Sequence, residues 1–296
     1  MDSPDIVVVS GAGTGIGRAI SHRLVSDGFH VIAVGRRPGP LELLAKELAP
    51  HLDAVSADLA TAEGAATVAE RVRIADGISS AGRRCAGVVA AAGGLSPRGA
   101  SNQAQGGDPG LNGDRVLNGD QALNGDRTLH GDRVLDDVPG LERVPELDRV
   151  RRDWLASFES NVLTAVLLVD ALREAIERGG GRVVMLSSVA ALRGSGGGPY
   201  GAAKAALHAF VYDLARELGS RGGTANAVAP GFVPDTEFWA GRLTNESRRE
   251  RAAQTLVGRE GTPEEVASLI CWLLGPDGGW VTGQVLSPNG GVVLGR

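Results

Sequence analysis

The chain opens with Ile6-Val-Val-Val9, passes at once into Ser10-Gly11-Ala12-Gly13-Thr14-Gly15-Ile16-Gly17, and then carries apolar side chains at helical spacing from Ile16 to Asp27. A β-branched run, a glycine-rich turn and an amphipathic helix, in that order, begin a βαβ unit. Glycines in such a turn let the backbone bend tightly and approach a pyrophosphate, whose charge is favoured at a helix N-terminus. The pattern is G-x-x-x-G-x-G at Gly11, Gly15 and Gly17 rather than strict G-x-G-x-x-G, because position 16 is Ile. A turn of this composition also serves plain tight packing, so the glycines alone do not decide between the two roles.

The alternation continues along the chain. Val31-Ile-Ala-Val34, Val88-Val-Ala90, Val183-Val-Met-Leu186, Ala225-Asn-Ala-Val228 and Val285-Leu286 read as strands, while Trp154 to Glu177, Gly201 to Leu218 and Pro263 to Leu274 read as helices. The strands lack clean in/out alternation, as expected when both sheet faces are covered. The expected fold is α/β, a single doubly wound parallel sheet with helices on both faces, formed by one domain over residues 1–296.

One stretch breaks the pattern. Between about 95 and 147 a hexapeptide recurs, as Asn112-Gly-Asp-Arg-Val-Leu117, Asn118-Gly-Asp-Gln-Ala-Leu123, Asn124-Gly-Asp-Arg-Thr-Leu129 and His130-Gly-Asp-Arg-Val-Leu135. Leucine keeps the register at 111, 117, 123, 129, 135, 141 and 147. A hexad can build a β-helix coil, but so few units form no core and Gly-Asp favours turns, so this reads as a low-complexity insertion in loop form.

Composition narrows the function classes. A net charge of -5 supplies no basic field for nucleic acid or anionic lipid. No apolar run approaches the ~18 residues of a membrane span, and the N-terminus lacks the basic and apolar regions of a signal peptide. Cys85 and Cys271 follow no metal-ligand spacing, so no metal is expected, and they read as thiols in a reducing cytoplasm.

Where a dinucleotide site usually carries an acidic residue after its second strand, this chain has Gly35-Arg36-Arg37. A guanidinium pairs bidentately with a 2′-phosphate that a carboxylate would repel, which selects NADP over NAD; two solvated surface arginines are the plain alternative. Further on, Tyr200-Gly-Ala-Ala-Lys204 places a phenol and an ammonium on one helix face, with Ser188 twelve residues upstream, just past a strand. Reduction of a carbonyl needs an acid beside its oxygen, and Tyr200 can be that acid. A nearby Lys204 ammonium and the positive ring of a bound nicotinamide are expected to lower the tyrosine pKa from its usual ~10. Ser188 can stabilise developing charge on the oxygen.

With these residues in this order, the sequence resembles the short-chain dehydrogenase/reductase family, and within it the 3-oxoacyl-carrier-protein reductases, over residues 5 to 94 and 150 to 294. The resemblance implies a catalytic set of Asn161, Ser188, Tyr200 and Lys204. It implies NADP held by Gly11, Gly13, Thr14, Gly15, Ile16, Gly17, Arg36 and Arg37, by Asp58 and Leu59 at the adenine, and by Ala92, Gly93, Tyr200 and Lys204. Pro230, Gly231 and Val233, together with Thr236, match the segment at the nicotinamide carboxamide, although Thr236 stands one position later than the family's threonine. Ala90-Ala-Ala-Gly93 replaces the family's Asn-Asn-Ala-Gly, which removes a strand-stabilising contact. The implied activity is NADPH-dependent reduction of a ketone, such as a 3-oxoacyl thioester or a polyketide-like substrate, free or carrier-bound, by a homodimer or homotetramer. An alcohol dehydrogenase and a non-catalytic NADP-binding sensor are the alternatives. Phe232, Phe238 and Trp239 point to an apolar substrate pocket or to ordinary packing.

Overall fold

Seven strands form one parallel sheet in the order β3-β2-β1-β4-β5-β6-β7. They are β1 (Ile6–Ser10), β2 (His30–Gly35), β3 (Leu52–Ser56), β4 (Cys85–Ala90), β5 (Arg182–Leu186), β6 (Thr224–Val228) and β7 (Val285–Leu286). This computed structural model describes residues 5–77, 84–94, 144–195 and 198–295. The expected doubly wound sheet is present, and the strand order reverses between β1 and β4, which opens a crevice at their carboxyl ends.

Consecutive residues of β1 explain why its sequence is uniformly apolar. Ile6 and Val8 face one core, packed with Val68 and Val72 of α3 (Ala62–Gly77), Leu168 and Leu207. Val7 and Val9 face the other, packed with Ile20 and Leu24 of α1 (Gly15–Ser26), Leu41 and Leu44 of α2 (Pro38–Leu48), and Ile270. The side chains of Ile6 to Val9 are all fully buried, so a polar residue at any of these four positions would leave a costly unpaired group.

After β4, the described chain resumes in α4 (Val144–Phe158), which widens into a π-helical turn (Glu159–Leu163) and continues as α5 (Thr164–Ala171) and α6 (Arg173–Gly179). The sequence placed this helix's start near Trp154 and the end of the repeat segment at 147, so the helix begins about three turns earlier than expected. Its first turns gave no apolar periodicity because residues 146–152 are exposed. The helical stretch Glu146–Ala171 is, by length and composition only, apolar enough to cross a bilayer, a test that the core helix of a globular protein also passes. Its inner side chains Ala165, Leu168 and Val169 are buried in the protein core. The short α7 (Ala190–Arg193) and long α8 (Pro199–Gly219) flank β5 and β6; α9 (Asn245–Ala253) and α10 (Pro263–Leu274) follow. A capping box between Thr262 and Glu265, with Pro263 in the first turn, fixes where α10 starts.

The hexapeptide repeats lie outside the described residues, and the sheet with both of its cores is built from the segments on either side. Lengthening one connection about threefold costs only on the order of 1 kcal/mol in closure entropy. Replacement of residues 96–143 by a short linker is therefore expected to leave a single cooperative urea transition, with stability within about 1 kcal/mol of the parent. Loss of the cooperative transition would mean that a core depends on the replaced segment.

Candidate active site

A cleft of about 1090 Å³ lies across the carboxyl ends of the strands at the β1/β4 reversal. It exceeds the usual range for a single small ligand and can take an elongated molecule with a second one beside it. The β1–α1 turn forms one wall. A Cβ on Gly17 would stand 2.2 Å from the Gly11 carbonyl oxygen, and Gly11 and Gly15 hold φ of +66° and +52°. Glycine is therefore required for the loop to fold back onto its helix. Thr14 takes the cap position with extended backbone and no side-chain cap, which leaves the first-turn N–H groups for an anion in the cleft. Thr236 closes over this turn, since a Cβ on Gly15 would lie 3.1 Å from its Cβ.

Arg36 and Arg37 follow β2 on an exposed rim. They differ in what they touch. Arg37 is ion-paired with Glu237, 200 residues away in the chain. The Arg36 side chain has no ion-pair or hydrogen-bond partner among the described residues. Asp58 and Leu59 line the cleft beyond β3, and the Asp58 carboxylate accepts the Ala60 N–H at 3.1 Å.

At the end of β4, the chain turns through Ala91, Ala92 and Gly93. The Ser10 hydroxyl accepts the Ala92 N–H at 2.9 Å, a link between β1 and this turn that stands where the family's asparagines are missing. Gly93 has φ +138°, and a Cβ there would meet Asn161 Oδ1 at 2.6 Å and Lys204 Nζ at 3.2 Å. Asn161 sits in the π-helical turn and is fully buried. Its amide donates to the Gly94 carbonyl at 2.9 Å and accepts the Gly94 N–H at 3.1 Å, a two-way clamp on one residue. A third bond, to the Ser157 carbonyl at 3.0 Å, ties the clamp to its own helix. Asn161 does not line the cleft, although its neighbours Ser160 and Thr164 do. These bonds hold the turn after β4 in place.

Ser188, Tyr200 and Lys204 all reach the cleft, as do the eighteen residues expected to hold a cofactor. Ser188 follows β5 and accepts the Ala190 N–H at 3.2 Å, while Tyr200 hydrogen-bonds to it from the first turn of α8. Lys204, one turn on, donates from Nζ to the Leu186 carbonyl at 2.9 Å. Ser187 is a site residue that the sequence reading missed: its hydroxyl donates to the Lys204 carbonyl at 3.1 Å and meets His208 Nε2 at 2.8 Å. The opposite wall is aromatic, with Phe238 centred 5.4 Å from the Tyr200 ring.

Electrostatics differ from the sequence expectation. Burial pushes the Tyr200 phenol up to about 12, only partly offset by the Ser188 hydrogen bond, so desolvation outweighs the lowering expected from neighbouring charge. The same burial pulls Lys204 down to about 8, because desolvation disfavours whichever form is charged.

Residues 5–101 match the family described as short chain dehydrogenase, and residues 141–293 match the one described as Enoyl-(Acyl carrier protein) reductase. The chain belongs to the short-chain dehydrogenase/reductase family. Among curated proteins it is 37% identical over 144 residues to the 3-oxoacyl-(acyl-carrier-protein) reductase FabG of Vibrio cholerae, covering 48% of this chain and 58% of that one. It is 41% identical over 119 residues to the short-chain reductase protein NovJ of Streptomyces niveus, covering 38% of this chain and 45% of the relative. The chain thus spans about half the length of the curated relatives it matches. Among solved structures, the Pseudomonas aeruginosa RhlG/NADP active-site complex has the same fold, with a TM-score of 0.72 over 97% of this chain and 96% of that one at 24% identity.

Lys204 makes a testable energetic statement about this short-chain dehydrogenase/reductase. It is only 4% exposed, and its pKa falls from 10.5 to about 8, a cost on the order of 3 kcal/mol. Below pH 8 both folded and unfolded chains hold the proton, and the folded chain bears the full cost. Between 8 and 10.5 only the unfolded chain keeps it, so this contribution to stability rises with pH through that window. Lys204→Met loses the bond to Leu186 but removes the buried charge, and is expected to be about 1–2 kcal/mol more stable than the parent at pH 7. In urea unfolding, that advantage should shrink as pH approaches 10. A variant no more stable at pH 7 would show that Lys204 is not under this strain.

Proposed function

We propose that the chain is an NADPH-dependent carbonyl reductase that converts a ketone to the alcohol. The observation that carries this reading is the convergence of Ser188, Tyr200 and Lys204 on the wall of the same cleft that the Gly11–Gly17 turn borders. The turn fits a dinucleotide pyrophosphate, because the side chains its glycines lack would close it. Arg36, whose side chain has no ion-pair or hydrogen-bond partner among the described residues, suits a 2′-phosphate. When bound there, NADPH supplies the hydride that reaches the carbonyl carbon.

The protein's own groups manage the oxygen. Tyr200, its phenol pushed up to about 12 by burial, is protonated at neutral pH and stands as a proton donor to the oxygen. As the oxygen becomes an alkoxide, Tyr200 gives it a proton while the Ser188 hydroxyl donates a hydrogen bond to the same atom. The Lys204 ammonium then stabilises the phenolate until solvent returns the proton. Carrier-bound thioesters enter as candidates through the name of the Vibrio cholerae relative. Homodimer or homotetramer formation is supported by Leu147, Val150, Trp154 and Leu155 of α4, all exposed by 42% or more. The buried, unpaired thiols of Cys85 and Cys271 agree with a cytoplasmic setting.

Tyr200→Phe should keep NADPH affinity within about threefold and lower kcat by about 10²- to 10⁴-fold in a ketone-dependent NADPH oxidation assay. Activity close to the parent's would remove Tyr200 from the chemistry. Arg36→Asp should weaken NADPH by about tenfold or more in a fluorescence titration while hardly moving NADH. A parent protein that already prefers NADH would overturn the cofactor reading.

A further inference from the structure

Beyond Tyr200, the cleft wall turns aromatic and ends on a cation. Phe238 is centred 5.4 Å from the Tyr200 ring, Trp239 meets Phe238 edge-on at 4.9 Å, and Phe232 meets Trp239 edge-on at 5.4 Å. Arg251 of α9 lies over this cluster, its guanidinium carbon 4.9 Å from the Trp239 centroid and 6.0 Å from that of Phe232. The charges around it are committed elsewhere. Arg248 pairs with Glu260 and Asp235, Arg259 with Glu265, and the nearby carboxylate Glu237 with Arg37. The Arg251 side chain has no ion pair or hydrogen bond among the described residues and keeps only its two ring contacts, although it borders the cleft.

A guanidinium held over a ring by its carbon keeps N–H donors free to take a carboxylate bidentately. Edge-to-face rings offer matching surfaces to another flat ring at 4.5–7 Å. Tyr200, Phe238, Trp239 and Arg251 form one continuous wall of the cleft, and its volume of about 1090 Å³ leaves room along that wall for a bicyclic body with a ketone at one end and an anion at the other. We infer that the substrate side of this cleft takes a planar aromatic ketone bearing a carboxylate, with the ketone at Tyr200, the rings among Phe238, Trp239 and Phe232, and the carboxylate on Arg251. The ketone end rests on the reductase reading above; the aromatic and anionic ends rest on these contacts alone.

Calorimetric titration of the full chain, with and without NADP⁺, tests this apart from turnover. The probes are 6-acetyl-2-naphthoate, its neutral carboxamide, and the aliphatic keto acid 10-oxoundecanoate. The naphthoate should bind about tenfold or more tightly than either of the others, as a charge-assisted bond and ring contacts would each provide. Arg251→Gln should bring the naphthoate down to the carboxamide's affinity, with Arg251→Lys intermediate. Trp239→Leu should bring it toward the aliphatic acid. NADP⁺ affinity within about twofold of the parent's would certify that each variant is folded. Equal binding of naphthoate and carboxamide, no naphthoate binding, or a preference that survives Arg251→Gln would overturn the inference. Binding as expected, without reduction of the naphthoate by NADPH, would uphold the site and sink the reductase reading instead.

Discussion

The site depends on a seam between the end of β5 and helix α8. Ser187 donates to the Lys204 carbonyl, and Lys204 returns a bond from its ammonium to the Leu186 carbonyl. Two bonds in opposite senses between the same two elements resist sliding as well as separation, so the first turn of α8 is held where Tyr200 can meet Ser188. His208, half-buried and held below its usual pKa by desolvation, backs Ser187 from one turn further along. Apolar packing of Leu207 and Val211 against Val183 and Met185 holds α8 to the sheet, and the seam sets the register of its first turn against the segment that carries Ser188.

Around that seam, the protein keeps polar groups where a packed interior would exclude them. Asn161 and Lys204 are both buried, and both answer to backbone atoms: Asn161 to Gly94, Lys204 to Leu186. Buried polar groups need such partners, and here the partners are the turns that shape the cleft. Gly93 lies between them because a side chain there would strike both. The same burial keeps the Tyr200 proton in place and makes the Lys204 charge expensive, so reactivity and local instability have one origin.

Much of this was legible in the residues. The β-branched runs and the glycine turn were enough for the doubly wound sheet, because strands buried on both faces leave no other composition. Strand β3 escaped notice: Leu52-Asp-Ala-Val-Ser56 lies at the sheet's edge, and its mixed burial gives a weak pattern. The early start of α4 escaped because its first turns bury almost nothing. Ser188, Tyr200 and Lys204 were readable from spacing, whereas Ser10, Ser187 and Glu237 were not. Each of those three acts through a partner distant in sequence, at Ala92, Lys204 and Arg37, and no local pattern encodes such a pairing. The direction of the Tyr200 shift was misjudged for a related reason. A neighbouring charge can be inferred from a four-residue spacing, but the depth at which both groups lie cannot.

The Arg37–Glu237 ion pair joins the rim beside β2 to the segment that carries Phe238 and Trp239. An anion that draws Arg37 away competes with Glu237 for it, and releasing Glu237 frees one anchor of that segment. Occupancy at the far end of the cleft therefore bears on the freedom of the aromatic wall at the near end. The two ends form a thermodynamic cycle, and linkage is reciprocal: a ligand that moves the aromatic wall must in turn change how firmly the rim holds its anion.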